Sequence, residues 1–512
     1  LLTRQFSISL NSIQAVGECD RDGVCESGET ADNCVFDCMI AQNNKDIKIA
    51  ACVYGASEVT RFALDGTSQH FSGGEAVKDF LIGNTDPEVK VDLIDDGRIY
   101  INGHKYLEDY VSDIPSIRYL WGLGLQTSHC NYNNLIDYDF CHLILDPENN
   151  NEDWLLHQYE WPIAESSRII RHYYHFPVFD NSNTEWKEAF SDLTADVIVD
   201  KPNVDGFFLD EVQVRVNTGV FVVNHEEEKK VQECVSEDNV YKCVIPSYQL
   251  SVFSNLGDPI KVTDKNNPSI EYPIWSWNNT IIFQDSNIPV ETEVIINYYL
   301  DATIDPNIIN NWEANYTSLL QSIRQKIGGK LIVFNGFYKN YNQDNFLQYA
   351  DGGMKEGIFA YGIGLTEDKW KQQLDQLKNI SPTKIHYSLI YNKDYSNNNE
   401  ELPAEEMQKH AMFTFASYLL GKGKYAYYQY ALSCQHFYWF DYWQTDIGEP
   451  IEDYHLRDNY DGTNIYEREF ENSLVLVNPD PDDDATFTID GYYKTLTGEP
   501  VTLLTLESQE GI

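Results

Sequence analysis

The chain has 512 residues, 42% hydrophobic and 13% aromatic, values that suit a globular protein of two or three domains and exclude a disordered one. Lys and Arg number 36 against 81 Asp and Glu, and the formal charge of -45 repels nucleic acid and anionic membranes while leaving neutral or cationic ligands and Ca²⁺ open. No apolar run is long enough to span a bilayer. No signal peptide is recognisable, and numbering from Leu1 rather than Met leads to the expectation of a processed chain. Ten cysteines and three N-x-S/T sequons, at Asn278, Asn315 and Asn379, favour an extracellular location.

Residues 1–16 alternate Phe6, Ile8 and Leu10 with Ser7, Ser9 and Asn11, the period of an extended β arm with one apolar face. Residues 17–44 form a cysteine-rich unit with little else to bury, so disulfides have to hold it together. Its cysteines fall as close neighbours, Cys19 with Cys25 and Cys34 with Cys38. Cys130 with Cys141 and Cys234 with Cys243 repeat the pattern, leaving Cys52 and Cys434 over. Connectivity cannot be deduced from spacing, although it suggests pairing of neighbours. Asp20, Asp22 and Glu29 supply oxygen ligands at spacings that suit a structural Ca²⁺, and serve equally as a solvated acidic loop.

From residue 45 short apolar strands alternate with amphipathic helices. Candidate strands cover 47–56, 117–126, 204–210, 330–337, 356–362, 384–392 and 424–431; candidate helices cover 313–328, 367–380 and 404–420. Such alternation predicts an α/β fold with a parallel sheet, and this many units predict a (β/α)₈ TIM barrel, over 45–239 and 301–462. Residues 84–110 read as a hairpin turning at Asp96–Gly97. Residues 240–300, rich in Val, Ile, Tyr and Thr, read as an inserted β domain, and 463–512 as a further β segment.

The strand "VDGFFLD" ends in Asp210, at the edge where barrels build active sites. Glu356 follows the turn "ADGGMK" and opens or precedes a later strand. Two carboxyl groups on one rim are what glycoside hydrolysis needs, one to protonate the leaving oxygen and one to attack or activate water. Capping a following helix is the plainer role for Asp210. Asp180 is a candidate for a substrate hydroxyl or for the cap of a helix starting near Thr184. Glu211, beside Asp210, points the other way if the strand continues. Tyr438, Trp439, Tyr442 and Trp443 follow the last strand and are candidates to stack on sugar rings, with Trp121 and Tyr391 as further ones; a stretch so apolar serves equally as core. His172 and His175 lack a third metal ligand, and no HExxH, G-x-S-x-G or phosphate-binding loop occurs. No cofactor is expected for catalysis.

Four stretches, "FPVFDNSNTEW" (176–186), "DGFFLDEV" (205–212), "YADGGMKEGIF" (349–359) and "YEREFENSLVLVNP" (466–479), resemble secreted glycoside hydrolases related to endo-α-1,4-polygalactosaminidase. The resemblance covers about 115–212 and 300–512. It implies a (β/α)₈ barrel, a C-terminal β-sandwich over 463–512, Asp210 as nucleophile or base, Glu356 as general acid, and a polysaccharide or oligosaccharide substrate. The alternative is a non-catalytic extracellular filament or surface-layer subunit. In that case the N-terminal arm pairs with a sheet on a second copy to make a homo-polymer, and the insertion fills the cleft rather than walling it.

Overall fold

The computed structural model describes residues 19–31, 33–43, 45–52, 58–86, 88–95, 114–121, 151–158, 160, 163, 168–171, 176–199, 201, 203–210, 212, 221–230, 235–237, 240–244, 261–271, 274–277, 280–284, 293–337, 343–360, 365–394, 400–434, 436–460 and 462–512. The arm 1–16, the Asp96–Gly97 turn, His172, His175, Glu211, Asn278, Cys130, Cys141 and Cys234 lie outside them.

Eight parallel strands form a ring: β1 (Ala50–Cys52), β2 (Leu93–Asp95), β3 (Ser116–Trp121), β4 (Gly206–Asp210), β5 (Leu331–Asn335), β6 (Gly352–Glu356), β7 (Ile385–Tyr391) and β8 (Ala426–Ser433). Closure occurs between the first and last, where Ile49 bridges Tyr428 in parallel and the Tyr428 N–H donates to the Lys48 carbonyl at 3.0 Å. Helices fill the connections: α1 (Gly74–Leu81), α2 (Thr184–Ile198), α3 (Trp312–Ile327), α4 (Asp344–Leu347), α5 (Glu367–Ile380) and α6 (Ala404–Gly421). Strand order and crossovers together define a (β/α)₈ barrel.

Two corrections to the predicted strands bear on function. The segment read as the first arm of a hairpin is instead parallel strand β2, paired with β1 through Ala50 and Leu93 and with β3 through Ile94 and Ser116. The strand predicted at 356–362 runs earlier, over Gly352–Glu356, so Glu356 ends β6 rather than opening it. Glycines hide this strand from a propensity reading, yet packing requires one there. A Cβ on Gly352 would lie 2.2 Å from the Ile385 carbonyl oxygen, and one on Gly206 2.3 Å from that of Leu331.

Alternate residues point into the ring. Ile117, Phe208, Val333, Met354, Leu389 and Tyr427 belong to one buried cluster that plugs the barrel. A second apolar layer lies outside the strands, where α5 and α6 pack and the Trp370 indole donates to Ser417 Oγ at 2.8 Å.

The cysteine-rich unit closes the N-terminal end of the barrel. Val35, Phe36, Ile40 and Ala41 join the interior cluster beside Tyr425, and the Val35 N–H donates to the Gly329 carbonyl at 3.2 Å. Arg21 and Arg324 both grip buried Asp351, at 2.7 and 2.5 Å. Burial by itself would raise the Asp351 carboxyl, but the Arg324 and Arg21 guanidiniums outweigh it and hold the group low. Among the described residues the disulfides of the cysteine-rich unit cross rather than join neighbours, Cys19 with Cys34 and Cys25 with Cys38, and the two left-over cysteines, Cys52 and Cys434, pair with each other.

The sandwich follows the barrel. Strands His455–Tyr460, Thr463–Glu469, Leu474–Asn478 and Glu510–Gly511 form one sheet, and Ala485–Lys494 with Pro500–Leu506 form the other. Ile465, Leu476, Phe487 and Leu506 fill the space between them.

By contacts the chain divides into two compact units, one of 1–120, 194–212 and 323–512, the other of 121–193 and 213–322. The second holds a six-stranded and a four-stranded antiparallel sheet. In the larger, Phe221–Lys230 pairs with Glu293–Asp301 from Val222↔Asp301 to Lys230↔Glu293, so the inserted β structure begins before residue 240. Among the described residues no helix is long and apolar enough to cross a membrane.

Candidate active site

The period-two pattern that buries Phe208, Val333, Met354, Leu389 and Ile117 carries the next inward residue of each strand to the C-terminal rim. Those residues are Asp210, Asn335, Glu356, Tyr391 and Tyr119. The amide nitrogen of Asn335 donates both of its hydrogens, one to Asp210 Oδ1 at 2.8 Å and one to Glu356 Oε2 at 3.0 Å. Two oxygens bound to one nitrogen at these distances lie no more than about 6 Å apart. Tyr119 donates its hydroxyl to Asp210 Oδ2, and Tyr391 donates to Glu356 Oε1 at 3.0 Å. Both oxygens of each carboxylate are therefore held by a donor.

Exposure separates the two acids. Asn335 is 5% exposed and rigidly placed between its neighbours, Asp210 is half-buried, and Glu356 faces solvent. Glu356 is thus open to solvent, whereas Asp210 is fixed by Tyr119 and Asn335. Joined through the Asn335 amide above the apolar plug, the pair has the parts of a two-carboxylate hydrolytic centre.

Of the sequence-predicted residues, Asp210, Glu356 and Tyr391 come together. Asp180 belongs to the second compact unit, where its carboxylate accepts from the Ser182 N–H at 2.8 Å and hydroxyl at 2.6 Å, and burial pushes its carboxyl up. It does not cap α2; Asn183 does, accepting from the Trp186 N–H at 3.0 Å. Trp121 ends β3, with its side chain outside the described part.

The proposed sugar-stacking aromatics are corrected. Tyr438 is 3% exposed, Trp439 2% and Trp443 3%; all three sit in the outer apolar layer, and Tyr442 packs against it. Tyr438 and Trp439 lie on strand His436–Phe440, which turns back antiparallel to β8, and Tyr442 and Trp443 on the 3-10 turn Asp441–Gln444 that follows it, so the rings join the outer apolar layer. Asn335 and Tyr119 were not singled out in the sequence. The signal was present, since "KLIVFN" repeats the form of "DGFFLD", an apolar strand closed by one polar residue.

Asp20, Asp22 and Glu29 are split between two groups that share Asp20. One adds buried Asp37 to Asp20 and Asp22; the other joins Asp20 to Glu26 and Glu29, each with its oxygens within 4.8 Å. These are donors of the kind a hard cation takes. Asp37 also accepts from the N–H groups of Arg21 at 3.0 Å and Gly23 at 2.8 Å. The sequons Asn315 and Asn379 both lie on helices; Asn379 is exposed, and Asn315 donates to Asn181 Oδ1 at 3.5 Å.

Comparison with known proteins follows the same direction. Residues 282–474, less than half of the chain, match a family described as hypothetical glycosyl hydrolase family 15. That span contains Asn335, Glu356 and Tyr391 but not Asp210. No curated protein matches the sequence. Among solved structures the chain is similar to an α-amylase from Anoxybacillus, at 9% identity and TM-score 0.42, covering 91% of this chain and 96% of that one. An α-amylase from Geobacillus thermoleovorans complexed with acarbose gives 11% identity and TM-score 0.40, covering 91% and 97%. The glycoside hydrolase domain of PelA from Pseudomonas aeruginosa gives 10% and 0.32, covering 74% and 97%. The barrel assignment rests on this chain's own strand order.

Proposed function

We propose that the protein is a secreted glycoside hydrolase that cleaves an extracellular polysaccharide with retention of configuration. The observation that carries the reading is the Asn335 amide bound to both Asp210 and Glu356 on a barrel rim. Retaining enzymes place their carboxyl groups about 5–5.5 Å apart and inverting ones about 6.5–9.5 Å. The facing oxygens here, within about 6 Å, favour the first.

In this reading Asp210 attacks the anomeric carbon while Glu356 gives its proton to the departing glycosidic oxygen. Glu356 then takes a proton from water, whose oxygen displaces Asp210 and releases the sugar. Asn335 and Tyr119 orient the nucleophile; Tyr391 orients the acid. The four stretches resembling endo-α-1,4-polygalactosaminidase relatives favour an amino-sugar polymer, and a chain of charge -45 attracts one whose amines are free. Three disulfides among the described residues support an oxidising, extracellular location.

The test is hydrolysis of a panel of neutral and cationic polysaccharides by the wild type and by Asp210→Asn, Glu356→Gln and Asn335→Ala. Loss of at least about 10³-fold in kcat is expected for the first two, and about 10²-fold for the third, which removes a positioning donor. Mass spectrometry of Glu356→Gln with an activated fluoride donor should show a glycosyl adduct on Asp210. Activity that survives Asp210→Asn would remove Asp210 from the mechanism.

A further inference from the structure

Lys422, one residue past α6, is 7% exposed. Among the described residues its ammonium makes no hydrogen bond and no ion pair, and its near neighbour is the Phe470 ring, with the centroid 5.7 Å away. Burying an ammonium without a hydrogen-bonding counter-charge costs several kcal/mol in general, so such a group is normally paired. Lys422 lines a cavity of about 220 Å³ together with Lys45, Lys48, Lys424 and Arg468. The acidic groups lining it are Asp46, which accepts from the Gly448 N–H at 3.1 Å, and Glu449.

Five cationic side chains against two carboxylates make a local reversal of sign in a chain of charge -45. Some of that charge is already engaged. Lys45 pairs with Asp92 at 2.9 Å, Lys48 donates to the Lys424 carbonyl at 2.5 Å, and Arg468 donates to the carbonyls of Leu419, Leu420 and Lys422 at 3.1, 3.0 and 2.8 Å. Carbonyl oxygens satisfy hydrogen-bond geometry but leave the net positive charge in place. Burial pushes both Lys48 and Lys422 down to about 8, against the opposing pull of Asp92 on Lys48 and of Glu449 and Asp46 on Lys422, with neighbouring cations adding to the fall.

The cavity lies at the N-terminal end of the barrel, away from the Asp210 rim. Lys48 leads into β1, Lys422 and Lys424 lead into β8, and Arg468 comes from the sandwich sheet. We propose that this cavity is a binding site for a small divalent oxyanion, sulfate or hydrogenphosphate, held by Lys422, Lys48 and Lys424 across the seam where the barrel closes. The anion supplies the acceptor that Lys422 lacks and joins the entries to the first and last strands through one ligand. Nothing in this assignment depends on the glycosidase reading.

The experiment is thermal unfolding of the full chain at neutral pH in about 0.15 M chloride, titrated with sodium sulfate in the low-millimolar range. A saturable rise in Tm is expected, with apparent affinity about tenfold weaker in Lys422→Met and in Lys424→Gln. Lys422→Met should fold at least as well as the wild type without sulfate, because it removes a buried charge. A rise that never saturates, or that is the same in wild type and variants, reflects general exclusion of sulfate from protein surface and overturns the proposal. A parallel arm uses glucose 6-sulfate: tighter binding than free sulfate assigns the site to a sugar-borne group, and equal or weaker binding assigns it to the free ion.

Discussion

Two histidines in the barrel wall show how single residues set the response to acid. His410 donates from Nε2 to the Phe359 carbonyl at 3.3 Å and accepts the Tyr430 hydroxyl at Nδ1, 3.0 Å away, so the buried ring is held neutral. His386 is wholly buried against Phe337. Burial pushes His410 down to about 4 and His386 to about 3. Unfolded, each titrates near 6.5. Below that pH the unfolded chain takes protons that the folded chain refuses, so stability is complete above about 6.5 and is lost as pH falls toward 4 and 3. Each group contributes a slope of about 1.4 kcal/mol per pH unit in that window. Urea unfolding at several pH values should show a shallower acid slope in His410→Gln than in the wild type; equal slopes would mean that His410 is protonated when folded.

At the scale of elements, the closing seam has little strand pairing: β1 is three residues long, and a parallel bridge of Ile49 with Tyr428 joins it to β8. The Cys52–Cys434 disulfide spans it, joining the end of β1 to the residue after β8 across 382 positions. The Cys52 N–H also donates to Gln429 Oε1 of β8 at 2.9 Å. Cross-links closing long loops restrict the unfolded chain most. The double variant Cys52→Ser/Cys434→Ser should therefore lose about 2–4 kcal/mol, read as a lower midpoint in guanidinium chloride. An unchanged midpoint would show that strand pairing alone closes the ring.

For the whole molecule the charge of -45 dominates. Self-repulsion among carboxylates opposes compaction, and salt shortens its reach from about 30 Å at 0.01 M to about 3 Å at 1 M. Raising NaCl across this range should raise Tm while weakening capture of a cationic polysaccharide, seen as a higher KM. Stability rises while affinity falls because the one field that repels the protein's own carboxylates also attracts a cationic ligand. A KM indifferent to salt would point to a neutral substrate.

Much of this architecture is legible from residues alone. The apolar runs at 206–210, 331–335, 385–391 and 426–433 and the helices at 312–327, 367–380 and 404–421 follow from local periodicity and composition, which act within a few residues. Asp210 was legible for the same reason, as the polar end of an apolar strand. What only tertiary structure decided depends on partners far away in sequence. The glycine-rich strand β6 is defined by its pairing with β5 and β7, whose close approach at Ile385 leaves room only for glycine at 352, and its true end sets Glu356 on the rim. The disulfide pairing follows spatial neighbours instead of sequence neighbours. Tyr438 and Trp439 are buried because their strand folds back on β8. Asn335 became meaningful once register brought Asp210 and Glu356 to either side of it, and no local pattern carries that information, since register is a property of paired strands.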